Sequence, residues 1–139
     1  IYNDVGSEDS SYDEGYGDGI PYEQKLHEVL QSLEDIDYEK AIENCLDDET
    51  LAEAMSDFIQ SIETKPDEID SYRKNKDFRN YTIQVHGLKS TARLVGANKL
   101  SEDAYYLEQC GDNSDIDEIE AKTGPLLDLY RSYLEKLKP

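Results

Sequence analysis

The chain has 139 residues and a mass of 15.9 kDa, a length suited to a single domain with one core. Its formal charge of -19 at neutral pH argues against nucleic acid and against anionic membrane surfaces, both of which are bound through clustered Lys and Arg. No apolar run approaches the ~20 residues of a membrane span and no signal-peptide pattern is present, so a cytoplasmic location is expected.

Residues 1–19, IYNDVGSEDSSYDEGYGDG, contain acidic, small and tyrosine residues without a basic residue or a period, and read as a flexible acidic linker. The first residue is Ile1, so a fragment of a longer protein is expected. Residues 20–139 read as one helical domain. Pro21 opens a short amphipathic helix with Leu26, Val29, Leu30 and Leu33 inward, and His27 on it reads as a surface residue. Ile36 to Leu46 forms a second short helix. Asp47 or Asp48 caps a third, with Leu51, Ala54, Met55, Phe58, Ile59 and Ile62 as its stripe. Pro66 starts a fresh segment to about Lys74, with Ile69 and Tyr72 inward.

Asp77 then caps the helix around which the chain is organised, running to about Val95 and stopping at Gly96. Asn98 to Cys110 follows, with Leu100, Ala104, Leu107, Cys110 and one of Tyr105 and Tyr106 facing it, and Gly111 as terminator. After a turn over residues 112–115, a last helix carries Ile116, Ile119, Leu126, Leu127, Leu129, Tyr130, Tyr133, Leu134 and Leu137, bent at Gly124-Pro125. Together these predict an all-α protein: an antiparallel up-and-down four-helix bundle with one or two accessory N-terminal helices. Cys45 and Cys110 lack metal-ligand spacing and read as buried reduced thiols, and no metal site is expected.

On the central helix, one of the chain's two histidines lies opposite the core stripe. With His86 at zero on a wheel of about 100° per residue, Phe78, Tyr81, Val85, Leu88, Ala92 and Val95 gather on the far side. Arg93, Ser90, Lys89, Ile83 and Thr82 lie nearest the histidine. The imidazole therefore faces water, with Lys89 able to reach an anion held on the ring and Ser90 leaving that spot open. A neutral imidazole of this kind is nucleophilic near neutral pH. Ile83 and Leu94 form an exposed aliphatic flank suited to docking, with packing under the N-terminal helix as the competing reading.

The run HGLKSTARLVGANKL, with Leu107-Glu108 further on, resembles the signature of histidine-containing phosphotransfer (HPt) domains over roughly Ile36 to Leu137. The resemblance implies that His86 accepts a phosphoryl group from a receiver-domain aspartate and passes it to another receiver domain. It implies that Lys89 faces the phosphoryl oxygens and that Glu108 orients the imidazole. Ser90 stands where many members have glycine, and Ile83, Ser90, Arg93, Leu94 and Gly96 would meet the partner. No cofactor of the chain's own is implied, since the Mg²⁺ belongs to the receiver, and no phosphate-binding loop points to kinase activity. The expected partners are response-regulator receiver domains, together with an upstream hybrid histidine kinase in the same polypeptide. A helical adaptor without the chemistry remains the alternative.

Overall fold

The computed structural model describes Leu33 and residues 35–137. The acidic linker, the helix expected from Pro21 and His27 lie outside the described residues. Among the described residues every regular element is a helix: α1 (Tyr38–Cys45), α2 (Asp48–Ser61), α3 (Lys65–Lys74), α4 (Phe78–Leu94), α5 (Asn98–Asp112) and α6 (Ile116–Lys136).

The helix ends are chemically specified. Asp47, Asp77 and Asp115 each accept a backbone N–H three residues on, from Thr50, Asn80 and Glu118 respectively, which satisfies one of the orphan donors of a first turn. Helices α3, α4 and α5 end in the same way. A residue with positive φ follows the cap, at Lys76, Gly96 and Ser114, and the next two N–H groups bond back to the last turn. At α4 these are Gly96 N–H to Arg93 O at 3.1 Å and Ala97 N–H to Ala92 O at 2.9 Å, the Schellman pattern. Gly96 is required there for a second reason. A Cβ would stand 2.5 Å from the carbonyl oxygen of Asp37, whose own N–H donates to Gly96 O at 2.8 Å.

Contacts between neighbours run in opposite senses along the chain, so the bundle is antiparallel. Between α4 and α5 they pair Lys89 with Ser101, His86 with Glu108 and Thr82 with Gly111. Between α3 and α6 they pair Arg73 with Glu120 and Asp67 with Arg131. Helix α2 breaks at residues 62–64, and α3 restarts with Pro66 in its first turn, where the missing N–H costs nothing. The two together form one wall, α4, α5 and α6 the other three, and α1 caps the end near Gly96.

The core is aliphatic with a tyrosine-rich centre. Phe58 is buried against Tyr130 and Tyr133, with ring centroids 5.7 and 5.6 Å apart, and a buried ring of this kind contributes about 2–3 kcal/mol. Tyr81 is buried and its hydroxyl lies 2.6 Å from Thr123 Oγ1, which in turn donates to Ile119 O. Burial pushes the Tyr81 phenol up to about 12, so it stays neutral in the core. Cys45 and Cys110 are buried free thiols, and burial raises both above their ordinary value.

Three sequence expectations are corrected. The inner face of α2 uses Ala52, with Ala54 and Ile59 only half-buried. Tyr105 and Tyr106 are both exposed. Gly111 lies inside α5, which continues to Asp112. Helix α6 continues through Pro125, and the carbonyl deprived of a donor is that of Ala121, on the exposed face.

Candidate functional site

The histidine helix obeys its wheel. Tyr81, Val85, Leu88, Ala92 and Val95 are buried and Phe78 half-buried, while the His86 side chain retains 57% of its exposure. What the wheel could not show is how closely α5 lies along the other flank. A Cβ at Gly111 would fall 2.0 Å from Thr82 Oγ1, a distance no side chain tolerates. Gly111 therefore lets α4 and α5 approach, and Thr82 turns its hydroxyl back to Phe78 O at 2.7 Å. One turn along each helix from this contact stand His86 and Glu108.

Glu108 Oε2 lies 2.5 Å from His86 Nδ1. Its other oxygen, Oε1, is buried and lies 2.8 Å from Lys89 Nζ, an ion pair whose approach falls outside hydrogen-bonding angles. Burial alone would raise the Glu108 carboxyl, but the Lys89 ammonium and the hydrogen bond with His86 outweigh it and hold the pKa below its ordinary value of 4.5. An ionised carboxylate can only accept, so Nδ1 carries the proton and donates it. In the neutral imidazole this arrangement puts the free lone pair on Nε2.

Lys89 is less exposed than the wheel implied, with 22% of its side chain accessible against 15% for Glu108. The wheel puts Lys89 on the solvent side, and a carboxylate arriving from another helix half-covers it. Ser90 and Arg93 are exposed, as are Ile83 and Leu94, so the aliphatic flank is open. Gly96 is buried beneath the segment leading into α1 and offers no docking surface. Its service is conformational. Thr82, Tyr105 and Gly111 were not singled out for the site from sequence. The sequence signal for Gly111 is a glycine three residues after Glu108, which equally marks a helix stop.

The surroundings narrow the chemistry. A cavity of about 180 Å³ lies on the opposite flank of α4, between the α2–α3 break and α6, lined by Lys65, Ile69, Gln84, Leu88 and Tyr130 among others. His86 does not line it, and with 57% of its side chain exposed the imidazole lies on the surface. Among the described residues no group of three His, Cys, Asp or Glu side chains could hold a metal ion, and no helix is long and apolar enough to cross a membrane.

Residues 49–138 match a protein-family model described as the Hpt domain. The chain belongs to the Hpt family. The match spans α2 to α6, including the whole of the α4–α5 pair, and leaves α1 outside. Hpt domains act in phosphorelays by histidine phosphotransfer with receiver domains, and that general role applies to this chain. No curated protein and no solved structure matches it.

Proposed function

We propose that this Hpt domain accepts a phosphoryl group on His86 Nε2 from the phospho-aspartate of one receiver domain and hands it to the aspartate of another. The observation that supports this most strongly is the pairing of Glu108 with Nδ1 at 2.5 Å on an exposed ring, which in the neutral imidazole places the proton on Nδ1 and the free lone pair on Nε2. The Nε2 lone pair attacks phosphorus, the Nε2–P bond forms, and the P–O bond to the aspartyl carboxylate breaks with its electrons leaving on oxygen. The ring gains positive charge in this step while keeping its Nδ1 proton, and Glu108 beside it stabilises that charge. Reversal onto a second receiver repeats the same step. Mg²⁺ and the acidic cluster that holds it belong to the receiver, and this chain supplies positioning and a counter-charge from Lys89.

The receiver would settle over Ser90 and Arg93 with Ile83 and Leu94 as apolar contacts, in a small transient interface. Ser90→Arg should block transfer and leave the circular dichroism unchanged. Ile83→Ser or Leu94→Ser should weaken receiver binding by roughly 1–2 kcal/mol without lowering the melting temperature. On this reading the acidic residues 1–19 would tether the domain to a hybrid kinase in the cytoplasm, raising the effective concentration of the pair.

Incubation with a phosphorylated receiver tests the reading. Wild type should gain an acid-labile, alkali-stable phosphoryl group, and His86→Gln, which as an exposed substitution should change stability by no more than about 0.5 kcal/mol, should gain none. Receiver binding without any label on the wild type would instead establish a non-phosphorylated adaptor.

A further inference from the structure

Lys89 is held from two sides by α5. Besides the Glu108 carboxylate, its ammonium lies over the ring of Tyr105, 5.4 Å from the centroid, inside the distance of about 6 Å at which a ring face attracts a cation. Tyr105 and Glu108 stand three residues apart, so α5 presents ring and carboxylate side by side. The ring is itself tied down, because Gln109 Nε2 donates to the Tyr105 hydroxyl at 3.1 Å from the next turn. The neighbouring tyrosine faces the other way. Tyr106 donates to Glu118 on α6 and is approached by Lys122.

The arrangement matters because Glu108 has two duties. Oε2 orients the imidazole and Oε1 pairs with Lys89, yet a lysine on a flexible stem can reach either oxygen or leave for solvent. A second attraction on the Oε1 side biases the ammonium toward that oxygen. Resting on the phosphotransfer reading above, we infer that Tyr105 is a positioning residue for the reaction. Its ring face parks the Lys89 ammonium at the rim of the site, one helical turn from His86, ready for the incoming phosphoryl oxygens and clear of the Glu108 oxygen that holds the ring.

Tyr105→Phe keeps the ring face and loses only the hydroxyl, whereas Tyr105→Leu keeps comparable bulk and loses the face. In the unphosphorylated protein, NMR of the Lys89 ε-methylene should show a ring-current upfield shift in wild type and Tyr105→Phe that is gone in Tyr105→Leu. Transfer from a phosphorylated receiver should slow about three- to fivefold in Tyr105→Leu and stay near wild type in Tyr105→Phe and in the control Tyr106→Leu. In a Lys89→Ala background, Tyr105→Leu should cost nothing further. Equal losses in the Phe and Leu variants, or an additive loss in the Lys89→Ala background, would overturn the inference. So would a Lys89 shift unaffected by Tyr105→Leu, a result that stands whether or not His86 takes up phosphate; absence of label on the wild type would count against the functional reading instead.

Discussion

Helix α4 has two unlike flanks. Toward α5 it is packed so closely that only glycine fits at position 111, and that flank carries His86, Lys89 and, across the seam, Glu108. Toward the broken α2–α3 wall it borders a cavity, and Gly87 there has nothing within 4 Å of where a Cβ would stand. The difference teaches where precision is needed. A hydrogen bond of 2.5 Å between side chains on separate helices requires the backbones to be held to a fraction of an ångström, and the close contact of Gly111 with Thr82 lies one turn from that bond.

Two substitutions of the same kind should therefore have opposite signs. Gly111→Ala should destabilise the fold by about 1–3 kcal/mol through overpacking against Thr82, although alanine is the better helix former by about 1 kcal/mol. Urea unfolding would measure this, and adding Thr82→Ala should recover part of the loss. If Gly111→Ala is neutral, the seam is not tight. Glu108→Gln comes next. At neutral pH it should lower stability by about 1 kcal/mol and slow phosphoryl transfer about tenfold, as losing a histidine-orienting partner does elsewhere. The Glu108 pKa is depressed in the folded chain, so its contribution is fully present above its ordinary value of 4.5 and disappears as the pH falls through the lowered folded value. Stability curves of wild type and Glu108→Gln should thus converge in acid; a constant gap across that range would remove the ion pair from the account.

On the loose flank, Gly87→Ala should stabilise the protein by about 0.5–1 kcal/mol, read as a raised melting temperature. A loss comparable to that of Gly111→Ala would abolish the contrast between the flanks. The smallest effect lies away from both. Lys76 and Ser114 occupy left-handed cap positions where Gly96 serves for α4, and Lys76→Gly or Ser114→Gly should each add about 0.5 kcal/mol once the extra chain entropy of glycine is deducted.

How much of this was legible beforehand follows the same division. The α4 wheel placed His86 opposite the buried stripe correctly, because one helix's periodicity is a local property. The caps at Asp77 and at one of Asp47 and Asp48, the restart at Pro66 and the stop at Gly96 were local too. The position of Glu108 came through family resemblance, but the burial of Lys89 and the role of Tyr105 depend on two helices meeting, which no wheel contains. Gly111 shows the ambiguity most clearly. Glycine ends helices and also admits close packing, and the sequence looks the same in both cases until the neighbouring helix is in place. Lys76 and Ser114 could not be read as left-handed caps, since nothing in their side chains asks for that conformation.

The central claim is that Glu108 fixes the tautomer of His86 and so decides which nitrogen reacts. Long-range ¹H–¹⁵N correlation of ring-labelled protein, before and after exposure to a phosphorylated receiver, measures both halves at once. The account predicts a His86 ring protonated on Nδ1 in the free protein and phosphorus bonded to Nε2 afterwards. A free ring protonated on Nε2, or phosphorus on Nδ1, would contradict it.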